Sequence, residues 1–428
     1  MRYPNRKWLQ YRSPENAGWS GKKLSRAYDY YKKIGTDALL VIYKGVVLVS
    51  WGEVERRFLC HSVRKSLLSA LIGIYENKGK IDLHDTLKSL RIDDKPPLSN
   101  HEKNARVIDL LKSRSGVYHT AQYEGTDVKP KRDSAKPGTK YVYNNWDFNA
   151  LNTIYEKETG KKFFSAFRNE IAVPLQMEEF RLTDGYYHME EGLSIHPAYP
   201  LRMSAKDLAR FGLLYQRNGK WKGRQIIPAD WVKQSTKAYS FDKYMKEAFG
   251  FMWFVSNNFA GKGKMFSSLG NGGQCLSVLP EKDLIIVHRV NTFAWKKVSH
   301  EERLTLFRMI LSAKIGPVKK NCSLQELKSC HSERKDIYSG ITENIKKSLI
   351  NTYTSKEGKW KILKKGSTLV MTNNYGDQYK MLPVKENSYI LEDSKRIVKV
   401  KYDKPGAVLK IVVNNYPMGN SILYPAKN

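Results

Sequence analysis

The sequence predicts an α/β (α+β) fold, an antiparallel sheet flanked by helices, followed by a small all-β domain. Three observations carry that prediction. Ala38–Tyr43 and Val46–Trp51 are apolar, β-branched runs about a Lys44-Gly45 turn, and Gln274–Leu279 and Leu284–Val290 repeat the arrangement about Pro280-Glu-Lys-Asp283. Between these pairs apolar residues recur at helical spacing, so the N- and C-terminal strands should meet around a mostly helical insert. Beyond Gly316 the chain changes to short alternating runs without helices, the pattern of a small barrel or sandwich.

Taken in order, a helix is expected from about Gly21 to Lys33, ahead of the first strand pair. A second follows, in which Leu67, Ala70, Leu71, Ile74 and Tyr75 share a face as far as about Asn77. From Ile81 to about Lys136 the chain is polar and broken by Pro and Gly, with one helical turn at Val107–Leu111. Helical period returns over Trp146–Thr159, Phe163–Glu170 and Ser204–Arg217, the last opening on a Ser cap with Asp207 in its first turn. Gly250–Val255 reads as a strand and His300–Ser312 as a closing helix. The tail offers six strands, Trp360–Leu363, Thr368–Thr372, Gln378–Leu382, Ser388–Leu391, Ile397–Tyr402 and Val408–Val413. Turn chemistry at Lys365-Gly366, Asn373-Asn374, Glu386-Asn387 and Pro405-Gly406 separates them. The chain's 428 residues therefore divide into domains 1–317 and 318–428.

Composition narrows the function. With 41% hydrophobic residues the chain can bury a sizeable core, and no apolar run approaches bilayer-spanning length. Met-Arg-Tyr-Pro-Asn-Arg-Lys lacks the apolar segment of an export signal, so the chain reads as cytoplasmic, or as periplasmic or secreted if a signal was trimmed. Cys60, Cys275, Cys322 and Cys330 form no Cys-x-x-Cys pair, and no His-x-x-x-His occurs, so no metal site is expected. Cys60 and Cys275 read as buried thiols, whereas Cys322 and Cys330 could bridge in an oxidising compartment. Seventy-four Lys and Arg against 42 Asp and Glu give a net charge of +32. The lysines are scattered and no nucleic-acid module accompanies them, so a solvated basic surface is the simpler reading. No specific nucleic-acid partner is expected, and an anionic surface or polymer is the partner class the charge leaves open.

Three stretches carry chemistry. In Ser62-Val-Arg-Lys65 the serine sits at or just inside a helix N-terminus, with the lysine amine one turn along the same face. A serine hydroxyl needs a neighbouring base to become a nucleophile, and this spacing supplies one. The same spacing recurs by accident at Ser20/Lys23, Ser240/Lys243 and Ser332/Lys335, and on the tetrapeptide alone Ser62 could equally be a helix cap. In Pro137-Gly-Thr to Asn145, Tyr143 and Asn145 place a phenol and an amide at the mouth of a helix. The phenol can relay a proton if an ammonium lies beside it; alone, such a tyrosine is more often a packing residue. Leu269-Gly270-Asn271-Gly272-Gly273-Gln274 precedes a strand, where glycines admit a substrate and expose an N–H for an oxyanion; its plain alternative is a Gly-rich turn.

Together these stretches resemble the serine β-lactamase-related hydrolases. That group includes class C β-lactamases, D,D-peptidases, related carboxylesterases and 6-aminohexanoate-dimer hydrolase. Leu110-Leu-Lys-Ser-Arg-Ser-Gly-Val-Tyr-His119 and Arg202-Met-Ser-Ala-Lys-Asp-Leu-Ala-Arg-Phe-Gly-Leu-Leu214 fit the same pattern, and the likeness runs from about Asp37 to Val290. It implies that Ser62 is acylated, that Lys65 is its base or that base's electrostatic partner, and that Tyr143 is general base and acid. Asn145 would orient Lys65 or a substrate carbonyl. Backbone N–H groups of Ser62 and of the Gly270–Asn271 turn would bind the oxyanion, and no cofactor is needed. Tyr118 and His119 are candidates to line the acyl or leaving-group pocket. The family places a Lys-Thr-Gly or His-x-Gly on the strand beside the site, yet Phe266 to Gln274 holds neither lysine nor histidine. That departure leans toward a small ester or amide substrate, with Arg202 or Arg289 as candidate substitutes for the cation. The rivals are a β-lactamase or D,D-peptidase of the same fold, and a non-catalytic basic envelope-binding protein.

Overall fold

The computed structural model describes residues 2–124, 129–292, 296–328, 342–355, 358–372, 378–385, 387–391, 397–404, 407–414 and 420–426. In chain order the first unit comprises β1 (Leu9–Tyr11), α1 (Gly21–Lys33), β2 (Ala38–Tyr43), β3 (Val46–Gly52), β4 (Phe58–Leu59) and α2 (Arg64–Glu76). Then come α3 (Val107–Leu111), α4 (Asn145–Thr159), α5 (Phe163–Phe167), β5 (Arg202–Met203) and α6 (Ala205–Gln216). The hairpin of β6 (Lys220–Trp221) and β7 (Arg224–Gln225) and α7 (Ala229–Ser235) lead to β8 (Ser240–Asp242), β9 (Glu247–Phe249), β10 (Phe254–Ser256) and β11 (Met265–Gly270). The unit ends with β12 (Gln274–Leu279), β13 (Leu284–Arg289), α8 (His300–Ser312) and β14 (Leu324–Glu326).

Ten strands form one sheet in the order β14-β1-β3-β2-β13-β12-β11-β10-β9-β8. β2 and β13 pair antiparallel from Ala38 and Arg289 to Tyr43 and Leu284, so the chain's early and late strands meet as expected. β2 reads as a continuous apolar run, and β13 does so from Leu284 to Val287, because both strands are buried on each face. Ile285 and His288, three apart on β13, point to opposite faces. On one, a Cβ at Gly212 of α6 would come within 2.9 Å of Ile285, so the missing side chain lets that helix press onto the sheet. On the other, the His288 ring packs edge-on against Phe307 of α8. One pair, β1 with β3, is parallel, so the sheet is mixed rather than purely antiparallel.

Several elements differ from the sequence reading. Gly250–Val255 is no strand: Met252 has φ +62° and Gly250 N donates to Trp253 O at 2.8 Å, a turn that confines the strand to Phe254–Ser256. Phe163–Glu170 is α-helical only to Phe167, then opens into a π turn over Arg168–Ala172. β11 lacks apolar alternation because Ser267 and Ser268 are buried and bonded, Ser267 to Ser277 Oγ at 2.7 Å on β12. Of the accidental Ser-x-x-Lys sites, Ser20 caps α1 by accepting from Lys23 N at 3.3 Å, whereas Ser332/Lys335 lies outside the described residues. Cys60 and Cys275 are buried free thiols; Cys330 lies outside the described residues, and its pairing with Cys322 with it.

The tail contributes α9 (Glu343–Leu349) and eight strands, β15 (Asn351–Ser355), β16 (Gly358–Lys365), β17 (Thr368–Thr372), β18 (Gln378–Lys385), β19 (Ser388–Leu391), β20 (Ile397–Lys404), β21 (Ala407–Asn414) and β22 (Asn420–Pro425). They close into an antiparallel barrel. The six expected strands are present. The unforeseen β15 and β22 make the closure, pairing Tyr353 with Pro425 and Thr354 with Tyr424. Asn373-Asn374, Glu386 and Pro405-Gly406 lie outside the described residues, whereas Gly366 turns with φ +60°. The barrel has its own core, including Tyr353, Trp360, Ile362, Met371 and Ile411, separate from that of the first unit. β14, past residue 317, still pairs with β1, and Leu324 and Leu327 pack on the first core.

A chain ending at Lys328 should therefore fold as a soluble unit, and one ending at Gly316 should be less stable by about 1–3 kcal/mol through lost apolar burial. Denaturant titration of both checks this, and equal stabilities would show that β14 contributes nothing.

Candidate active site

Ser62 lies in a 3₁₀ turn, His61–Val63, that runs directly into α2. The turn is fixed by two buried guanidinium groups. Arg64 Nη1 donates to His61 O at 2.9 Å, while Arg289 Nη2 donates to Phe58 O at 2.7 Å and lies 3.7 Å from Cys60 Sγ. His61, just before the serine, has φ +48°, a left-handed conformation that a non-glycine residue holds only when its surroundings impose it. Its ring bonds Thr292 Oγ1 at 2.9 Å through Nε2. Burial, reinforced by Arg64, Arg289 and Lys65, pushes its pKa down to about 3, so the ring is neutral at ordinary pH.

One turn into the helix, Lys65 is only 2% exposed. Its Nζ donates to Ser62 Oγ at 2.9 Å, to Tyr143 OH at 2.6 Å and to Asn145 Oδ1 at 2.6 Å. An ammonium has three N–H donors, and these acceptors match them one for one. The same nitrogen stands 4.4 Å from the Tyr143 ring centroid and 4.5 Å from that of Phe148.

The tyrosine and asparagine are positioned from α4. Asn144 is its N-cap, accepting from Trp146 N, and its Nδ2 donates to Val117 O at 2.6 Å and Asp147 Oδ1 at 2.8 Å. Ser113 Oγ accepts from Asn144 N at 3.0 Å and donates to Val142 O at 2.7 Å, fixing the chain on both sides of Tyr143. The phenol ring lies among Phe148, Phe249 and Phe254. These supports were invisible in the sequence except for Asn144, whose place before the helical period is an N-cap signal.

Gly270 ends β11 against the nucleophile turn: a Cβ there would fall 2.5 Å from Cys60 O. Gly270 and Asn271 line a cavity of about 690 Å³ together with Ser62, Tyr143, Asn145, Phe254 and Leu269. β11 carries no lysine, arginine or histidine, and its Ser268 is buried outside the cavity lining. Its Oγ donates to Val63 O at 3.1 Å and accepts from Ser66 Oγ at 2.7 Å, and Ser66 lies 2.6 Å from Met252 O, a hydroxyl strap tying α2 to the sheet.

The structure brings Ser62, Tyr143, Asn145, Gly270 and Asn271 to one cavity, with Lys65 buried behind them and bonded to the first three. It does not bring Tyr118 or His119 there. Tyr118 is buried away from the lining residues, and His119 sits 3.6 Å from Asp94 Oδ2 and 3.5 Å from Glu102 Oε2. Neither arginine weighed as a substitute cation lines the cavity: Arg289 serves Phe58 and Cys60, and Arg202 sits over the Tyr379 ring. Arg303 of α8 and Arg64 do line it; Arg64 lies within the Ser62–Lys65 stretch, whereas nothing in the sequence spacing of Arg303 pointed to the site.

A sequence model of the beta-lactamase family matches residues 24–307, well over half of the chain. The chain belongs to that family. An uncharacterized protein of Alkalihalophilus pseudofirmus is 29% identical over 268 residues, which cover 56% of this chain and 75% of that one. Among solved structures, an octameric penicillin-binding protein homologue from Pyrococcus abyssi has a TM-score of 0.52 at 15% identity, covering 94% of this chain and 99% of its own. A Bacillus anthracis protein assigned as a 6-aminohexanoate-dimer hydrolase has a TM-score of 0.53 at 20% identity, covering 72% and 90%. A class C beta-lactamase in complex with cefoxitin has 0.51 at 17%, covering 68% and 98%. At these identities the structural likeness establishes the fold, and the family match makes this a beta-lactamase-related hydrolase fold.

His119 gives a pH prediction. Burial pulls its pKa down, but Asp94 and Glu102 outweigh burial and carry it up to about 8. A folded value above the unfolded one stabilises fully below about 6.5 and is lost as pH rises through 8. His119→Gln should flatten the fall in unfolding free energy between those limits, and an unchanged pH slope would contradict the assignment.

Proposed function

We propose that this protein is a serine hydrolase that cleaves a small ester or amide through an acyl-enzyme on Ser62. The observation that carries the reading is the shared contact of Lys65 Nζ with Ser62 Oγ, Tyr143 OH and Asn145 Oδ1. Ser62 Oγ attacks the substrate carbonyl and passes its proton to the Tyr143 oxygen, which acts as base in its deprotonated form beside the Lys65 ammonium and so holds the proton that it later gives to the leaving group. The positive charge beside both oxygens favours the negative charge that develops as protons move. Backbone N–H groups of Ser62 and the Gly270–Asn271 turn bind the oxyanion, and Tyr143 protonates the leaving group. Water then enters by the same route and releases the acyl chain. The intact Ser62, Lys65 and Tyr143 set argues against a non-catalytic binding protein.

Replacing Ser62 with alanine should lower kcat/KM for p-nitrophenyl butyrate by about 10⁴-fold or more with the fold unchanged. Lys65→Ala and Tyr143→Phe should each lose a similar amount, and the double variant little more, since one proton-transfer unit is being removed. A Tyr143→Phe enzyme that keeps most of its activity would leave Lys65 as sole base. Comparable activity in wild type and Ser62→Ala would end the reading altogether.

A second reading, a β-lactamase or D,D-peptidase, gains from Arg303, a cation in the cavity wall that could meet a substrate carboxylate. Its charge is shared, because Nη2 lies 2.6 Å from His300 Nδ1 and the guanidinium partly offsets the burial that raises the pKa of Glu247. With no cation on β11, we expect slow nitrocefin turnover beside clear ester hydrolysis. Nitrocefin turnover equal to that of the ester, and cut ten- to a hundred-fold by Arg303→Ala, would instead favour the second reading. That loss is what one charge-assisted hydrogen bond of about 1.5–3 kcal/mol supplies.

A further inference from the structure

The β8–β9 hairpin stands at the end of the ten-stranded sheet, beside the cavity mouth. Its base is clamped. Tyr141 OH donates to Asp242 Oδ2 at 2.8 Å, Arg114 Nε donates to Ser240 Oγ at 2.7 Å, and Met245 N donates to Asp242 Oδ1 at 2.9 Å. In its register Asp242 faces Glu247, both buried, and Phe241 faces Ala248. Strand alternation therefore sends Phe241 outward, where it is 58% exposed. At the tip Tyr244 is 92% exposed, and Lys243 and Lys246 are exposed on either side of it. Two large rings are thus held in water on a clamped hairpin, Tyr244 between the two lysines and Phe241 just before them. Tyr244 and Met245 also form the cavity rim.

We propose that this hairpin docks the protein on an anionic lipid surface, with the cavity mouth turned toward the interface. Aromatic rings with an apolar body favour the headgroup region, and flanking lysines favour anionic headgroups. The net charge of +32 supplies the long-range attraction, and its sign selects the partner. A soluble polyanion would meet the lysines but leave both rings in water, so the lipid is the better fit. Association is peripheral, since among the described residues no helix is long and apolar enough to cross a membrane. An amphiphilic substrate could then pass from the interface into a cavity lined by Met245, Phe254 and Leu269. The docking itself does not depend on Ser62 being the nucleophile.

Co-sedimentation of the full chain with vesicles tests this, using phosphatidylcholine alone and phosphatidylcholine with one third phosphatidylglycerol. Wild type, and Ser62→Ala equally, should sediment with the anionic vesicles and stay in solution with the neutral ones. Phe241→Thr should weaken partitioning at least tenfold, as the loss of a buried ring requires. Lys243→Gln/Lys246→Asn should weaken it about thirtyfold, at the worth of a lysine near such a surface. None of these three residues lines the cavity, so both variants should hydrolyse p-nitrophenyl butyrate at the wild-type rate, which also reports their folding. Absence of binding to anionic vesicles, or equal binding by wild type and both variants, overturns the proposal. So does a pattern in which the lysine variant alone weakens and dextran sulfate is bound as tightly as the vesicles, which would assign the surface to a soluble polyanion. Loss of ester hydrolysis in Ser62→Ala tests the catalytic reading separately.

Discussion

A lysine ammonium removed from water is the constraint on which the site depends. At 2% exposure the Lys65 amine has three oxygens in place of its hydration, and in these contacts none of them belongs to a carboxylate. A carboxylate in their place would neutralise the charge and hold it still. Hydroxyl and phenol partners leave the positive field directed at the two oxygens from which protons can be taken. The acceptors come from two separate pieces of chain, Ser62 from the turn before α2 and Tyr143 with Asn145 from the start of α4, so their convergence needs rigid neighbours. Arg64 and Arg289 hold the serine turn by its carbonyls, Asn144 and Ser113 hold the tyrosine, and Ser66 with Ser268 ties the helix to the sheet. Gly270 lets the strand end approach that turn.

Much of this was legible because it is local. Ala38–Tyr43 is buried on both faces and reads as an uninterrupted apolar run, and α1 has a Ser cap at its start and lysines at its end. Ser62, Lys65, Tyr143 and Asn145 stood out because two short spacings and a Gly-rich turn occur in one order. What stayed hidden depends on contacts across the fold. Met252 turns left-handed in the middle of an apolar run, β11 satisfies buried serines through other serines, and β15 and β22 are recognisable only by the closure they make. Tyr118 looked available beside the insert, yet its side chain is buried away from the cavity. Arg303 comes from the last helix of the unit, far from every motif, and reaches the cavity only through the fold.

The distribution of charge around the cavity bears on what it takes. The cavity wall carries the guanidinium groups of Arg64 and Arg303 as well as the carboxylates of Glu124 and Asp242. Burial raises the pKa of the neighbouring Glu247 to about 7, with Arg303 pulling the other way, so that corner changes charge near neutrality. Apolar Leu269 and Phe254 line the same cavity. The barrel has a filled interior of its own, and its buried Tyr353, Met371 and Ile411 serve packing.

The central claim is that Lys65 activates Ser62, and covalent labelling tests it most directly. Wild-type protein treated with a fluorophosphonate, digested and mapped by mass spectrometry should carry one adduct, on Ser62. In Lys65→Met, a substitution that keeps the apolar stem and removes the charge, labelling should slow by about 10³-fold or more while the protein remains folded. An adduct on another residue, or labelling of Lys65→Met at the wild-type rate, would contradict the account.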